Sequence, residues 1–145
     1  MAKATTQDIK DFGFAAEQFG TPEDWDAPAT GFLARLLVGI AADVRHRAGA
    51  SVYDASGTSG ITHERLLKAE KYFAAAELWR RRAQFFEANM QAANAEGSER
   101  LVARFYANAN ECRDIADNEL ARLSSSTADS AISSSVVQSG AYPDV

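Results

Sequence analysis

Cysteine is nearly absent: Cys112 stands alone among 145 residues, so the chain can close no internal disulfide and build no thiolate metal knuckle, and a reducing compartment suits it. Histidine is as scarce. His46 and His63 lie on different elements, and neither has a His or Cys at ligand spacing, which leaves no metal site to expect. Long apolar runs are missing too. The longest, residues 32–42, is broken by Arg35 and Gly39 and falls short of the about 18 apolar residues that a membrane span requires. The opening MAKATTQDIKDFGF has no apolar stretch of the secretory kind, so neither a membrane partner nor secretion by that route is expected.

An excess of positive charge is also lacking. Fifteen Lys+Arg face twenty Asp+Glu, a net charge of -5, which disfavours nucleic acid as a tight partner because its binders present a basic face. No G-x-S-x-G elbow, phosphate-cradling Gly-Lys-Ser/Thr loop, H-E-x-x-H or Cys-His signature occurs, so no enzyme and no cofactor is expected. What is present is a globular composition. Hydrophobic residues at 46% and charged residues at 24% lie far from the disordered regime, and the length fits one domain with terminal arms.

Helix signals dominate the pattern. Thr21-Pro22-Glu23-Asp24 reads as a helix start, with a capping hydroxyl, a proline at the first position and two acids at the positive end. Pro28 stops it after a short turn. Over residues 29–48, Leu33, Leu36, Leu37, Ile40 and Val44 follow one helical face, and Arg45, His46 and Arg47 then complement the negative helix end before Gly49. Residues 49–60 hold three glycines and three serines around Val52 and Tyr53, which predicts a surface loop with one anchored point and no helix.

Two long helices follow. Thr62 caps the first, running to about residue 95, in which Tyr72, Ala76, Trp79, Ala83, Phe86 and Met90 alternate by four and three residues. Leu66, Leu67, Phe73, Leu78 and Phe85 fall off that stripe, so this helix must meet more than one neighbour. Gly97 breaks it and Ser98 caps the second, whose facing stripe is Val102, Phe105, Ala109, Cys112, Ala116, Leu120 and Leu123. The fold expected is all-α, a small helical bundle built on a long antiparallel helix hairpin over residues 29–123, with an N-terminal segment over 1–28 and a C-terminal arm over 124–145.

That arm, SSSTADSAISSSVVQSGAYPDV, holds eight serines and little periodicity. Composition predicts a flexible tail that orders only against a partner, through Ile132, Val136, Val137 and Tyr142, with Ser133 to Gln138 inclined to extended structure. Elsewhere the bland reading of each polar group is sufficient. Cys112 sits on an apolar stripe and reads as core. Glu64 with Lys68, Glu77 with Arg81, Glu96 with Arg100, and Arg113 with Asp117 are spaced four apart, as solvated helix pairs are. Arg80-Arg81-Arg82 fans over about 200° of helix surface, so Arg80 and Arg82 flank Trp79 while Arg81 points away and is free to meet an acidic patch on a neighbour.

The element order, with the run Leu66-Leu67-Lys68-Ala69-Glu70-Lys71-Tyr72-Phe73-Ala74-Ala75-Ala76-Glu77-Leu78-Trp79-Arg80-Arg81, resembles the small helical head-to-tail adaptor (connector) proteins of tailed bacteriophages, over about residues 5 to 123. The resemblance implies a structural virion protein of the neck region. It implies a homo-oligomeric ring, commonly of twelve copies, that binds a portal protein and tail or neck proteins and lets double-stranded DNA pass without reading its sequence. The plain serine tail and a weak first helix containing Gly13 depart from that pattern. The alternative is a helical nucleic-acid-binding protein such as a small terminase-like DNA-recognition subunit, whose basic helix would have to come from Arg45 to Arg47 or Arg80 to Arg82.

Overall fold

A computed structural model describes residues 1–89 and 95–139, with side chains placed over 1–89 and 97–125. The regular structure of the described residues is all helix, with no strand among them: α1 (Thr6–Lys10), a 3-10 turn (Ala16–Phe19), α2 (Phe32–Ala48), α3 (Ala50–Ala55), α4 (Ile61–Asn89) and α5 (Ala95–Ser139). The expected antiparallel hairpin is α4 against α5. Trp79 stacks on Phe105 at 5.6 Å between ring centroids, Lys68 donates to Glu119 at 3.0 Å, and Arg65 reaches the Arg122 carbonyl at 3.1 Å. Going down α4 therefore means going up α5.

α4 is buried on several sides, as its two apolar stripes require. Leu66, Ala69, Ala74, Ala75, Leu78 and Ala83 are fully enclosed, and α4 touches α1, the 3-10 turn, α2 and α5. Its small alanines are what let four neighbours approach one helix this closely. α2 runs antiparallel to it, since Arg47 lies over Phe73 at 4.8 Å and Arg81 over Phe32 at 5.3 Å. Leu33, Leu37, Ala41 and Val44 form its buried face.

The N-terminal segment wraps the far side of α4 through aromatic rings. Phe12 meets Tyr72 edge-on at 5.4 Å, Phe14 meets Trp79 at 5.1 Å, and Phe19, Trp25 and Phe32 stack in series at 5.2 and 5.3 Å. Its helix is α1, capped by a reciprocal pair in which Thr5 and Asp8 bond each other's backbone amides. No helix starts at Thr21. That residue takes φ 50, outside the extended conformation a cap needs. α2 also starts three residues later than the apolar spacing predicts, because Ala29 takes φ 64 and the loop ahead supplies the cap. Gly31, Phe32 and Leu33 donate their amides to the carbonyls of Ala27, Asp24 and Trp25 at 2.9, 2.6 and 3.0 Å. A Cβ on Gly31 would fall 2.5 Å from the Ala27 backbone, so only glycine fits that crossing.

Three further boundaries differ from expectation. Residues 49–60 contain α3, because the glycines stand at the edges of the segment and leave ASVYDA free to turn. Gly49, at φ 91, makes the corner between α2 and α3. Gly97 does not break the hairpin, and it sits in the first turn of α5, which starts at Ala95. α5 also continues past Leu123 to Ser139, where serine content alone predicts a flexible tail. Ser costs a helix only a few tenths of a kcal/mol more than Ala, no Gly or Pro interrupts residues 98–139, and extending a formed helix needs no new nucleus. The extended conformation expected for Ser133 to Gln138 is accordingly replaced by helix. Met90 and Tyr142 lie outside the described residues, as do the side chains of Glu96, Ile132, Val136 and Val137.

Candidate functional site

The most constrained polar group is Glu70, whose side chain is fully buried on α4. Its Oε2 accepts the backbone amides of Lys3 and Ala4, each at 2.7 Å, and its Oε1 accepts the Tyr53 hydroxyl. The same hydroxyl oxygen lies 3.1 Å from the Met1 carbonyl. Lys3 Nζ covers the Tyr53 ring at 4.4 Å. Burial first, then the hydrogen bond to Glu70, push the Tyr53 hydroxyl well above the ordinary tyrosine range. Every donor is matched, and no buried side-chain N or O among the described residues lacks a partner. This cluster ties the first four residues and α3 to α4. It is a structural clasp, because its polar atoms are enclosed and satisfied and leave no room for a reacting group.

The open site lies further along α4, toward its C-terminal end. Residues of α2, α4 and α5 line a cleft of about 530 Å³ there, within the range of ligand and peptide clefts. Ile40, Phe73, Ala76 and Ala109 form its apolar floor, and Arg47, Arg80, Arg113 and His46 stand around it with Asp43 and Glu77. Arg47 is steadied by Asp117 at 2.5 Å and by the Phe73 ring, and Arg80 by Glu77 at 2.9 Å. Among the described residues Arg113 has no carboxylate within salt-bridge distance, so the pairing with Asp117 read from sequence is replaced by Arg47–Asp117 across α2 and α5. Lys68 likewise leaves Glu64 for the buried Glu119, which Arg122 also approaches at 3.4 Å. Glu119 is buried and would be left an uncompensated charge without a cation beside it, whereas Glu64 is exposed and is served by water.

The arginine run divides among three surroundings, and Arg81, expected to point away from the bundle, is held within the chain by Glu77 and the Phe32 ring. Arg82 lies over Trp79 and Phe105 at 5.3 and 4.5 Å, and burial holds its guanidinium below the ordinary arginine value. Arg81 is exposed, donates to Glu77 at 2.8 Å and covers Phe32. Cys112 packs against the core beside α4, and burial raises its thiol above the usual value, with Glu111 adding to the shift. His63 bonds the Gly57 carbonyl at 2.9 Å. Among the described residues no group of three His, Cys, Asp or Glu could hold a metal ion, and no helix is long and apolar enough to cross a membrane.

Sequence reasoning missed both the clasp and the cleft. Glu70 looks like any surface acid because periodicity marks apolar positions only, while the cleft joins residues from three helices that no local spacing relates. Comparison with known proteins finds no family model, no curated protein and no solved structure that matches this chain.

Proposed function

We propose that the chain is a structural subunit of a multi-copy assembly, a head-to-tail adaptor of a tailed-phage particle. In this reading it forms a ring, of about twelve copies as in the family it resembles, between a portal protein and the tail or neck proteins of the virion, and lets duplex DNA pass without reading it. The observation that supports the reading is the unequal length of the hairpin. α4 has 29 residues and α5 has 45. In the register fixed by Lys68–Glu119 and Arg65–Arg122, the start of α4 lies opposite residue 125 or so. About 14 residues of α5, roughly 21 Å at 1.5 Å per residue, thus run on beyond it. An arm held out from a small rigid bundle is what a subunit uses to reach its neighbour, and residues 124–145 with Ile132, Val136, Val137 and Tyr142 are that arm.

The DNA-recognition alternative has less behind it, since Arg45, Arg47, Arg80 and Arg81 each pair with a carboxylate of this chain. The test is native mass spectrometry of the chain alone and mixed with a purified phage portal ring. Multiple copies on the ring are expected, and a chain that stays monomeric and unbound overturns the proposal.

A further inference from the structure

α2 buries Leu33, Leu37, Ala41 and Val44, and on its other side Arg35, Val38, Gly39, Ala42 and Asp43 are all exposed. Val38 keeps 66% of its surface in solvent. Gly39 stands in the middle of the helix, where glycine is weaker than alanine. Nothing inside the chain calls for it: α2 is regular through that position, and a Cβ there would meet no atom within 4 Å. The space that Gly39 leaves is open to a partner from outside.

Arg35 and Asp43 stand four residues to either side of Gly39, along one ridge of α2. Among the described residues neither has an ion-pair partner. Arg35 donates one guanidinium N–H to the Thr30 carbonyl at 2.8 Å, which holds it at the start of α2 and leaves its other donors open. Asp43 stands at the rim of the cleft with His46, and the nearby Arg45 and Arg47 are taken by Asp54 and Asp117.

The order Arg35, Gly39, Asp43 is complementary to itself when reversed. A second α2 laid antiparallel on the first, about a two-fold axis through Gly39, sets Arg35 of each copy against Asp43 of the other. The two glycines then meet at the crossing, where the lack of side chains lets the helix axes approach to the short end of their usual range of about 8 to 10 Å. Val38 and Ala42 add apolar cover beside it. A parallel pairing would set Arg35 against Arg35 and Asp43 against Asp43, so the charges select the antiparallel one.

We infer that this face of α2 is a contact between two copies of the chain, an isologous pair centred on Gly39 and closed at both ends by Arg35 and Asp43. It goes beyond the assembly reading and does not rest on it, since a two-fold pair closes on itself whereas a ring repeats a heterologous contact. The ridge is about two and a half turns long, less than a standard interface, so the association is weak and sensitive to salt.

Sedimentation velocity of the full chain at high protein concentration and low salt tests it, with dimers expected for the parent. Arg35→Glu and Asp43→Arg each bring like charges together at both ends of the contact. Each should associate about tenfold or more weakly, with unchanged circular dichroism. An equimolar mixture of the two variants should recover association, because opposite charges then face each other at both ends again. Gly39→Gln places a side chain at the crossing and meets nothing within its own chain, so it should melt no lower than the parent while dimers are lost. A monomeric parent, single variants that associate like the parent, or a mixture that fails to recover overturns the contact. The portal-ring assay is read separately: a parent that is monomeric alone yet decorates the ring overturns the contact only, and dimers that never join the ring overturn the assembly reading only.

Discussion

The Tyr53 hydroxyl donates to the buried carboxylate of Glu70, 17 residues away, and through it a helix of six residues and the first residues of the chain are held on α4. Neither short piece would be helical or ordered on its own. What fixes them is one enclosed acceptor whose alternatives are all worse, since each donor that lost it would be left buried and unpaired.

Glu70→Gln keeps the shape and replaces the carboxylate by a weaker acceptor that also brings two donors of its own. The expected loss is about 2 to 4 kcal/mol. Tyr53→Phe removes a single donor and should cost less, about 1 to 3 kcal/mol. Urea unfolding of both variants checks this, and a Gln variant no weaker than the parent would show that the clasp contributes nothing to stability.

Tyr53 also makes stability depend on alkaline pH. Its folded-state hydroxyl titrates above the unfolded value, so the stabilisation is complete below about pH 10 and declines as pH rises from there toward the raised folded value. Ultraviolet titration of the folded chain should show a tyrosine still protonated above the ordinary tyrosine range, and Tyr53→Phe should abolish that late step. The late step surviving in the Phe variant would assign it to another residue, such as Tyr106, whose hydroxyl is also raised.

Trp79 joins three parts of the fold, stacking on Phe105 of α5, meeting Phe14 of the N-terminal segment and carrying Arg82 on its face. It remains partly exposed. Trp79→Ala should therefore cost about 3 kcal/mol, the lower end for a large aromatic, against a domain margin of about 5 to 15 kcal/mol. A melting temperature within a degree or two of the parent would mean that Phe14 and Phe105 close over the gap.

The hairpin was legible because α4 and α5 repeat apolar residues over many turns, and Val102, Phe105, Ala109, Ala116, Leu120 and Leu123 are buried as their spacing requires. α3 and α1 were not, since a helix of five or six residues shows less than two turns of pattern and depends on caps and tertiary partners. The late start of α2 reflects backbone bonds from residues 24–27, which leave no side-chain signature. The cleft and the clasp escaped for one reason. Each joins polar residues from separate elements, and periodicity reports only which side of one element is apolar.

Duplex DNA should bind this chain weakly and without sequence preference, because its net charge is -5 and most of the arginines lining its cleft are already matched to carboxylates. A dissociation constant weaker than about micromolar at physiological salt, equal for unrelated sequences, is the expected result of a fluorescence anisotropy titration. Sequence-specific binding tighter than that would favour the DNA-recognition alternative.

Removing residues 124–145 separates the core from the arm. The last described buried side chain of α5 is Leu123, packed with Val44, Tyr53, Leu66 and Leu120, so the cut falls just beyond the described core. Circular dichroism should lose the helix of α5 beyond residue 123 and nothing else, and the melting temperature should fall by a few degrees at most, because the helix removed lies past the last described buried side chain and the new end frays only its last bonds. Assembly should respond differently. The removed helix carries the about 21 Å of reach beyond the start of α4, and no other described element offers a replacement, so incorporation onto a portal ring should be abolished. The two readouts decide between three outcomes. If the truncated chain unfolds, the segment belongs to the core. If it folds and assembles normally, the arm has no role in assembly. Only a folded chain that self-associates yet fails to join the ring is consistent with an arm that reaches a partner of a different kind.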